Sequence, residues 1–497
     1  MSGSEKSDLL IVPVKPANKA ARAVAELGEG SGRAGGNARL QSRARTQSRE
    51  ALSQAQARIR EAVNRNRKEK LTALLHHINV DVLRAAFLAL SRDAAPGIDG
   101  VTWEAYAEGL DDKLVDLHRR VQAGAYRALP SRRRYIPKAD GQQRPLGIAA
   151  MEDKIVQAAV KAILTPIYEA EFLGFSYGFR PGRSQHDALD ALAYGIKGRS
   201  VRWILDADIT RFFDTVSHEW LIRFVEHRIG DKRIVRLIQK WLKAGVLEDG
   251  QRIVASEGTP QGAVISPLLA NIYLHYAYDL WVRAWRKRHA TGDMIVVRYA
   301  DDTIVGFQHH RDAERFLMEL EGRLAKFGLS LHPEKTRLIE FGRFVAEQRK
   351  ARRQRRPKTF DFLGFTHICG FKRNGRGFQL WRRTKHKQRW AALKAINQQL
   401  QRMRHWNIDE QGRWLASVLT GYYAYFAVPT NIESMRTFRH HVKVRWWLNL
   451  RRRSQRHRMP WRRMNVIVAR HLPFPTVLHP WPEQRFLVRH RRQEPYA

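Results

Sequence analysis

Apolar and polar positions along this 497-residue chain follow two rhythms, one mixed and one almost wholly helical. From about Leu71 the spacing is helical: Val82, Leu83, Ala86, Phe87 and Leu90 recur three and four residues apart, one face of a helix. Ala95-Pro-Gly-Ile-Asp-Gly100 then breaks the chain. Residues 130–150 read as short strands around the Asp140-Gly141 turn. Trp203 to Ile209 alternates with period two, and a helical stretch follows. Ile295 to Phe307 reads as a hairpin, and Ala313, Phe316, Leu317, Leu320, Leu324 and Phe327 form one helical face. After about residue 380 the chain turns helical; Leu415, Val418, Leu419, Tyr422, Tyr423 and Phe426 step as an amphipathic helix. The pattern predicts an α/β body over residues 71–370 and an all-α domain over 371–497.

Residues 1–70 lack this patterning. They are rich in Ala, Arg, Ser, Gly and Gln, and no aromatic residue precedes Phe87. They read as a basic, mostly disordered extension, helical over Arg49 to Lys70. Arg349 to Lys358 carries seven basic residues in ten and reads as an exposed loop.

Charge narrows the function. Lys plus Arg number 89 against 48 Asp plus Glu, a net charge of +41. Such a field suits a polyanionic partner, nucleic acid first. The single cysteine, Cys369, excludes a disulfide framework, a four-cysteine zinc site and an iron–sulfur cluster. The start does not read as a signal peptide, and there is no run of about 18 apolar residues, so a cytoplasmic protein with no membrane partner is expected.

The chemistry lies in three segments. In Trp203-Ile-Leu-Asp-Ala-Asp-Ile-Thr-Arg-Phe-Phe-Asp214, strand alternation places Ile204, Asp206 and Asp208 on one face and Trp203, Leu205, Ala207 and Ile209 on the other. Carboxylates on an apolar strand are costly unless paired or bound to a cation. In Ile295-Val-Val-Arg-Tyr-Ala-Asp-Asp-Thr-Ile-Val-Gly-Phe307, Asp301 and Asp302 fall at a tight turn between two β-rich runs. Each segment alone also fits an ordinary strand end or Asx turn. If both strands share a sheet, Asp208, Asp301 and Asp302 converge on a site for two Mg²⁺ ions, the arrangement that clamps an in-line phosphoryl transfer. The third segment, Gly258-Thr-Pro-Gln-Gly262 leading into a helix near Ser266-Pro267, is a turn that can approach phosphates closely. No Gly-x-x-x-x-Gly-Lys-Ser/Thr loop is present, which weakens an ATPase reading.

With these residues in order, the chain resembles the bacterial group II intron-encoded reverse transcriptase/maturases. Tyr299-Ala-Asp-Asp302 is similar to the family's catalytic tetrapeptide, and Asp208-Ile-Thr-Arg-Phe-Phe-Asp214 to the motif with the first catalytic Asp. Thr259-Pro-Gln-Gly262 is similar to the nucleotide-pocket motif. Ile136-Pro-Lys138, Arg144-Pro-Leu-Gly147 and Ser176-Tyr-Gly-Phe-Arg-Pro-Gly-Arg-Ser184 resemble the fingers. Leu331-His-Pro-Glu-Lys-Thr336 and Phe362-Leu-Gly-Phe365 resemble late palm motifs. Leu419-Thr-Gly-Tyr-Tyr-Ala-Tyr-Phe426, Arg445-Trp-Trp447 and His479-Pro-Trp-Pro482 resemble the thumb and maturase region.

The resemblance implies a right-hand α/β polymerase, fingers and palm, followed by an all-α basic thumb. It implies an RNA-directed DNA polymerase that also assists splicing and retromobility of its parent intron. Asp208, Asp301, Asp302 and the backbone carbonyl of Ile209 would hold two Mg²⁺ ions. Lys138, Arg144, Phe213 and Gln261 would bind the dNTP, with Phe213 excluding a 2′-hydroxyl. Arg180, Lys335, Phe362 and Gly364 would meet primer or template, and Lys335 would protonate pyrophosphate. Asp206 and Asp214 are read as supporting or surface residues. The implied partners are group II intron RNA, an RNA template, a DNA primer and target DNA; the oligomeric state is left open. Many relatives carry a His-Asn-His endonuclease with paired cysteines. With one cysteine and an end at Ala497, this chain is expected not to nick a second strand. A host-adopted enzyme of defence or repair, and a splicing factor with a vestigial polymerase site, stand as alternatives. Tyr299-Ala300 and Phe213 speak against an RNA-directed RNA polymerase.

Overall fold

The computed structural model describes residues 35–489, apart from 68, 138–142, 254–256, 260, 373, 376 and 455–458. The extension expected before residue 35 lies outside the described residues. A helix runs Gly35–Arg65, longer at its N-terminal end than the Arg49 to Lys70 span expected from sequence. Ala55, Ile59 and Val63, four residues apart, form a narrow buried stripe on it. The stripe docks on the helices Val80–Ala89 and Met151–Glu169, where Gln56 Nε2 donates to the Ala162 carbonyl at 3.0 Å. This part of the chain is therefore an outer layer of the body, although its composition reads as a tail.

The strands in chain order are β1 (Ser131–Pro137), β2 (Gln143–Ile148), β3 (Trp203–Asp208), β4 (Val246–Glu248), β5 (Gln251–Ile253), β6 (Met294–Tyr299), β7 (Asp302–Phe307), β8 (Arg337–Glu340), β9 (Phe360–Phe362), β10 (Phe365–Phe371) and β11 (Phe378–Thr384). They form three sheets, ordered β2-β1-β4-β5, β6-β7-β3-β8 and β11-β10-β9. In the second sheet β3 is central and antiparallel to both β7 and β8. The alternation read from sequence holds there. Leu205, Ala207, Val296 and Val305 enter one core with the N-terminal helices, and Ile204, Ile295, Val297 and Ile304 enter a second core.

That second core is shared with the C-terminal helices His386–Arg402, Ile408–Phe426, Ile432–Arg451, Trp461–His471 and Pro482–Arg489. Leu415, Val418, Leu419, Tyr422, Tyr423 and Phe426 are all buried, as the periodicity predicts. A boundary at 370 would cut the β10–β11 hairpin, and the helices begin only at His386. The helix Pro482–Arg489 folds back on Gln185–Gly198, so it is tied to the middle of the chain. The basic stretch near 350 is part helix, Arg343–Ala351, and part exposed loop.

Candidate active site at the tip of the central hairpin

The β6–β7 hairpin pairs Tyr299 with Asp302, leaving Ala300 and Asp301 as a two-residue turn. Asp302 is also the register partner of Asp208, the last residue of β3. Directly opposed residues of an antiparallel pair have Cα atoms about 4.5–5.5 Å apart. The structure thus brings Asp208 and Asp302 side by side with Asp301 at the adjoining tip, the convergence expected from sequence. Asp208 and Asp301 are nearly buried. Like charges held this close repel unless a cation lies between them. Among the described residues no three His, Cys, Asp or Glu side chains close round a point as a cage. Magnesium does not require one, since it takes one or two carboxylates and completes its shell with water and phosphate. The donor set at the tip fits that demand.

The surrounding segments dock on the end of β3. Ile209 bridges Leu331, and the Asp208 carbonyl accepts from His332 N at 2.8 Å. The backbone N–H groups of Lys335 and Thr336 then fold back on the His332 carbonyl, which sets Lys335 Nζ 3.5 Å from Asp208 Oδ2. Asp206 shares the face of Asp208; burial pushes its carboxyl up to about 6, opposed by the hydrogen bond from Arg337 Nη2 at 3.0 Å. A second group of segments meets beside this end. Thr259 N donates to the Phe213 carbonyl at 2.8 Å, and Gly147 N donates to the Gln261 carbonyl at 2.6 Å. A Cβ on Gly262 would lie 3.0 Å from the Gly147 carbonyl, and its φ of +108° also favours glycine. Half-buried Phe213, half-buried Gln261 and Arg144 of β2 therefore belong to one neighbourhood. Lys138 lies outside the described residues.

Comparison with known proteins gives the same reading. The family described as reverse transcriptase (RNA-dependent DNA polymerase) matches residues 136–367. Protein YkfC of Escherichia coli (strain K12) is 38% identical over 261 residues, covering 49% of this chain and 68% of YkfC. The group II intron-encoded protein LtrA of Lactococcus lactis subsp. cremoris is 37% identical over 223 residues, 44% of this chain and 37% of LtrA. The chain belongs to the group II intron reverse transcriptase/maturase family. Nuclear intron maturase 1, mitochondrial, of Arabidopsis thaliana is more distant, 27% identical over 111 residues, 22% of this chain and 15% of that protein. The chain spans little more than a third of the length of LtrA. The sheet β6-β7-β3-β8 and strand β2 lie within the matched span, which begins at the end of β1; the match implies the palm and fingers fold of the reverse transcriptase family.

Three residues that the sequence places against primer or template face elsewhere. Arg180 is buried, with Nε and Nη2 on the Glu169 carboxylate at 2.9–3.1 Å and Nη1 on the carbonyls of Leu173 and Ser176. Its guanidinium folds the segment Leu173–Arg180 on itself and is not offered to a nucleic acid. Phe362 ends β9, Gly364 is the second residue of the two-residue turn that leads to β10, and both are also buried. Tyr425 Oη donates to the Leu363 carbonyl at 2.8 Å, and a Cβ on Gly364 would lie 2.5 Å from Gln388 Oε1. The turn is a joint under the C-terminal helices. Motif position locates such residues in the chain but does not say which way they face.

Other residues around the site carried no role in the sequence reading. Arg298, fully buried, pairs with Asp279, also fully buried, behind the acidic turn. The signal available was one inward-facing charge in the run Ile295-Val-Val-Arg-Tyr299. Asp279 sits in a stretch of π-helix, His275–Asp279, which periodicity alone does not reveal. Farther out, the C-terminal helices carry aromatic rings beside cations. Arg445 lies over the exposed ring of Trp390 at 5.4 Å, Lys443 over Trp461 at 4.9 Å and Arg451 over Trp447 at 4.6 Å. Trp447 and Trp461 stack at 4.4 Å. Among the described residues no helix is long and apolar enough to cross a membrane.

Proposed function

We propose that the protein copies RNA into DNA from dNTPs with two Mg²⁺ ions held by Asp208, Asp301, Asp302 and the Ile209 carbonyl. The observation that carries this is the register pair Asp208–Asp302 with Asp301 at the adjoining tip. When bound, the two ions supply activation of the primer 3′-hydroxyl and neutralisation of the pyrophosphate leaving group. The chain's own residues do the rest. Arg144 and Lys138 grip the triphosphate, Phe213 and Gln261 line the pocket, and Phe213 leaves no room for a 2′-hydroxyl. Lys335, beside Asp208, is placed to protonate pyrophosphate. The C-terminal helices act as the thumb, with the Trp390–Arg445 pair and the Trp447–Trp461 stack as two places that meet nucleic acid. Rings offer stacking to bases and the neighbouring cations offer contact to phosphates.

These ring and cation pairs, with the +41 charge, support binding of a parent group II intron RNA to assist splicing and retromobility. Affinity for structured RNA is then expected to fall steeply with added salt. The polymerase reading is tested by primer extension on RNA with Mg²⁺, comparing dNTPs with rNTPs in the wild type and in Phe213→Ala. Extension with dNTPs only, relaxed toward rNTPs in the variant, is the expected result. Equal use of both nucleotides by the wild type, or no extension at all, would overturn it.

A further inference from the structure

Arg298 stands three residues before Asp301, on β6, and has no access to solvent. A guanidinium has five N–H donors, and each one here meets an acceptor. Nε donates to Asp279 Oδ1 at 2.7 Å, and Nη2 to Asp279 Oδ2 at 2.5 Å and Ser176 Oγ at 2.8 Å. Nη1 donates to Asn271 Oδ1 at 3.2 Å and to the Ala300 carbonyl at 2.8 Å. That last bond reaches into the turn that carries Asp301.

Ala300 needs holding. Its φ is +55°, in the left-handed region, where a residue with a Cβ pays roughly 1–2 kcal/mol. Such a conformation persists only where its surroundings over-determine it. The opposite side of the turn is closed by Gly178, whose Cβ, were it present, would lie 2.2 Å from Ala300 N. Gly178 is itself fixed, because its carbonyl accepts from Asn271 Nδ2 at 2.7 Å. Asn271 thus links the guanidinium to the glycine. The backbone of Arg298 is bound on the same side, its N–H to the Phe175 carbonyl at 2.9 Å and its carbonyl to Tyr177 N at 2.8 Å.

A buried ion pair is weak evidence for stability, since an apolar pair of similar volume often serves the fold as well or better. What an apolar pair cannot supply is the directed bond to the Ala300 carbonyl. We propose that Arg298, held by Asp279, is a positioning residue that fixes the Ala300–Asp301 turn against Asp208 and so sets the protein's affinity for divalent cations. The proposal rests on the metal-dependent polymerase reading above.

The test uses the full chain and Mn²⁺ as the probe, with bound Mn²⁺ measured by the loss of the free-ion electron paramagnetic resonance signal. Melting temperature is recorded beside it. Arg298→Met/Asp279→Leu removes the pair but keeps an apolar filling; Arg298→Lys keeps the charge and loses the fork. Both are expected to bind Mn²⁺ about 10-fold more weakly, the usual scale for disturbing a partner behind a metal ligand. Primer extension should then need more Mg²⁺ to saturate, with the dNTP KM at saturating metal unchanged. A folded variant that binds Mn²⁺ as the wild type does would overturn the proposal, whatever its melting temperature. If the double variant does not fold, Arg298→Lys decides by the same criterion. Asp301→Ala/Asp302→Ala separates the two readings: it should abolish the binding. Undiminished binding there would remove the metal-site reading itself, and the proposal with it.

Discussion

Asp190 gives the sharpest prediction about what ties the C-terminal segments to the middle of the chain. It lies on the helix Gln185–Gly198 and is 1% exposed. Its Oδ1 accepts from Arg382 Nη1 at 2.9 Å, and its Oδ2 is ion-paired with Arg485 Nε. Arg382 leads from β11 into the C-terminal helices and is 2% exposed, while Arg485 lies on the final helix Pro482–Arg489. One carboxylate therefore holds two cations from two later segments. Asp190→Asn keeps the shape and removes the charge. It leaves Arg382 buried without its counter-ion, a loss of about 3–5 kcal/mol. Glu483 is the other carboxylate that acts on Arg382, but it is already paired with Lys197. The cost should appear first where the last helix meets the body. At about 1.4 kcal/mol per decade, amide exchange in Pro482–Arg489 should speed up by roughly two to three and a half orders of magnitude. Trypsin should cut at Arg485 earlier than in the wild type. Asp190→Leu/Arg382→Met, which removes the more buried pair and leaves only Arg485 without its counter-ion, should recover the part of the loss that Arg382 carries. Unchanged exchange in that helix, or a double variant no better than the single one, would refute the reasoning.

Three other outcomes are expected. Gly178→Ala should abolish primer extension and lower the melting temperature, because its Cβ would fall 2.2 Å from a backbone nitrogen that has no room to move; RNA binding by gel shift should persist. Lys335→Ala removes the cation 3.5 Å from Asp208 and should lower kcat by about 10- to 100-fold with RNA affinity unchanged, read in single-turnover extension. Burial lowers His275 to about 4 and His367 to about 3, so both are neutral in the folded protein. The unfolded chain takes up protons first, below about 6.5, so the stability they contribute is present above that pH. It falls away as the pH drops toward 4 and 3, on the order of 2 kcal/mol each by pH 5. Asp153, raised to about 6 by burial, works in the opposite direction between about pH 6 and 4. Urea unfolding at pH 7.5 and 5 checks the net sign, which should be destabilising on acidification.

How much of this was legible in the sequence depends on which question is asked. Period and composition mark Leu415 to Phe426 as a buried helical face, and the face is buried residue for residue. They also mark β3 and the β6–β7 hairpin, because alternating apolar residues broken by acids have few other readings. The convergence of Asp208 with Asp301 and Asp302 depends on a pairing across 93 residues that local pattern cannot supply. Ordered motifs supplied it, and the register confirms the pairing. The orientation of long side chains was not legible. Arg180 and Phe362 both fall in motifs, yet one is spent on Glu169 and the other lies in the core. The helix Gly35–Arg65 was read in part, from Arg49 on, but its docking on the body was hidden for a different reason. Its apolar stripe is narrow, and only the groove it fills makes the stripe meaningful.

The central claim is that Asp208, brought beside Asp302 by the sheet, works in RNA-directed DNA synthesis. Its most direct test is addition of a single dNTP to a DNA primer annealed to RNA, in the presence of Mg²⁺, by wild type and by Asp208→Ala. RNA affinity is measured on the same preparations. The account predicts addition by the wild type, a rate at least about 10³-fold lower in the variant, and equal RNA affinity. A wild type that binds the RNA tightly but adds nothing, or a variant that adds as fast as the wild type, would contradict it.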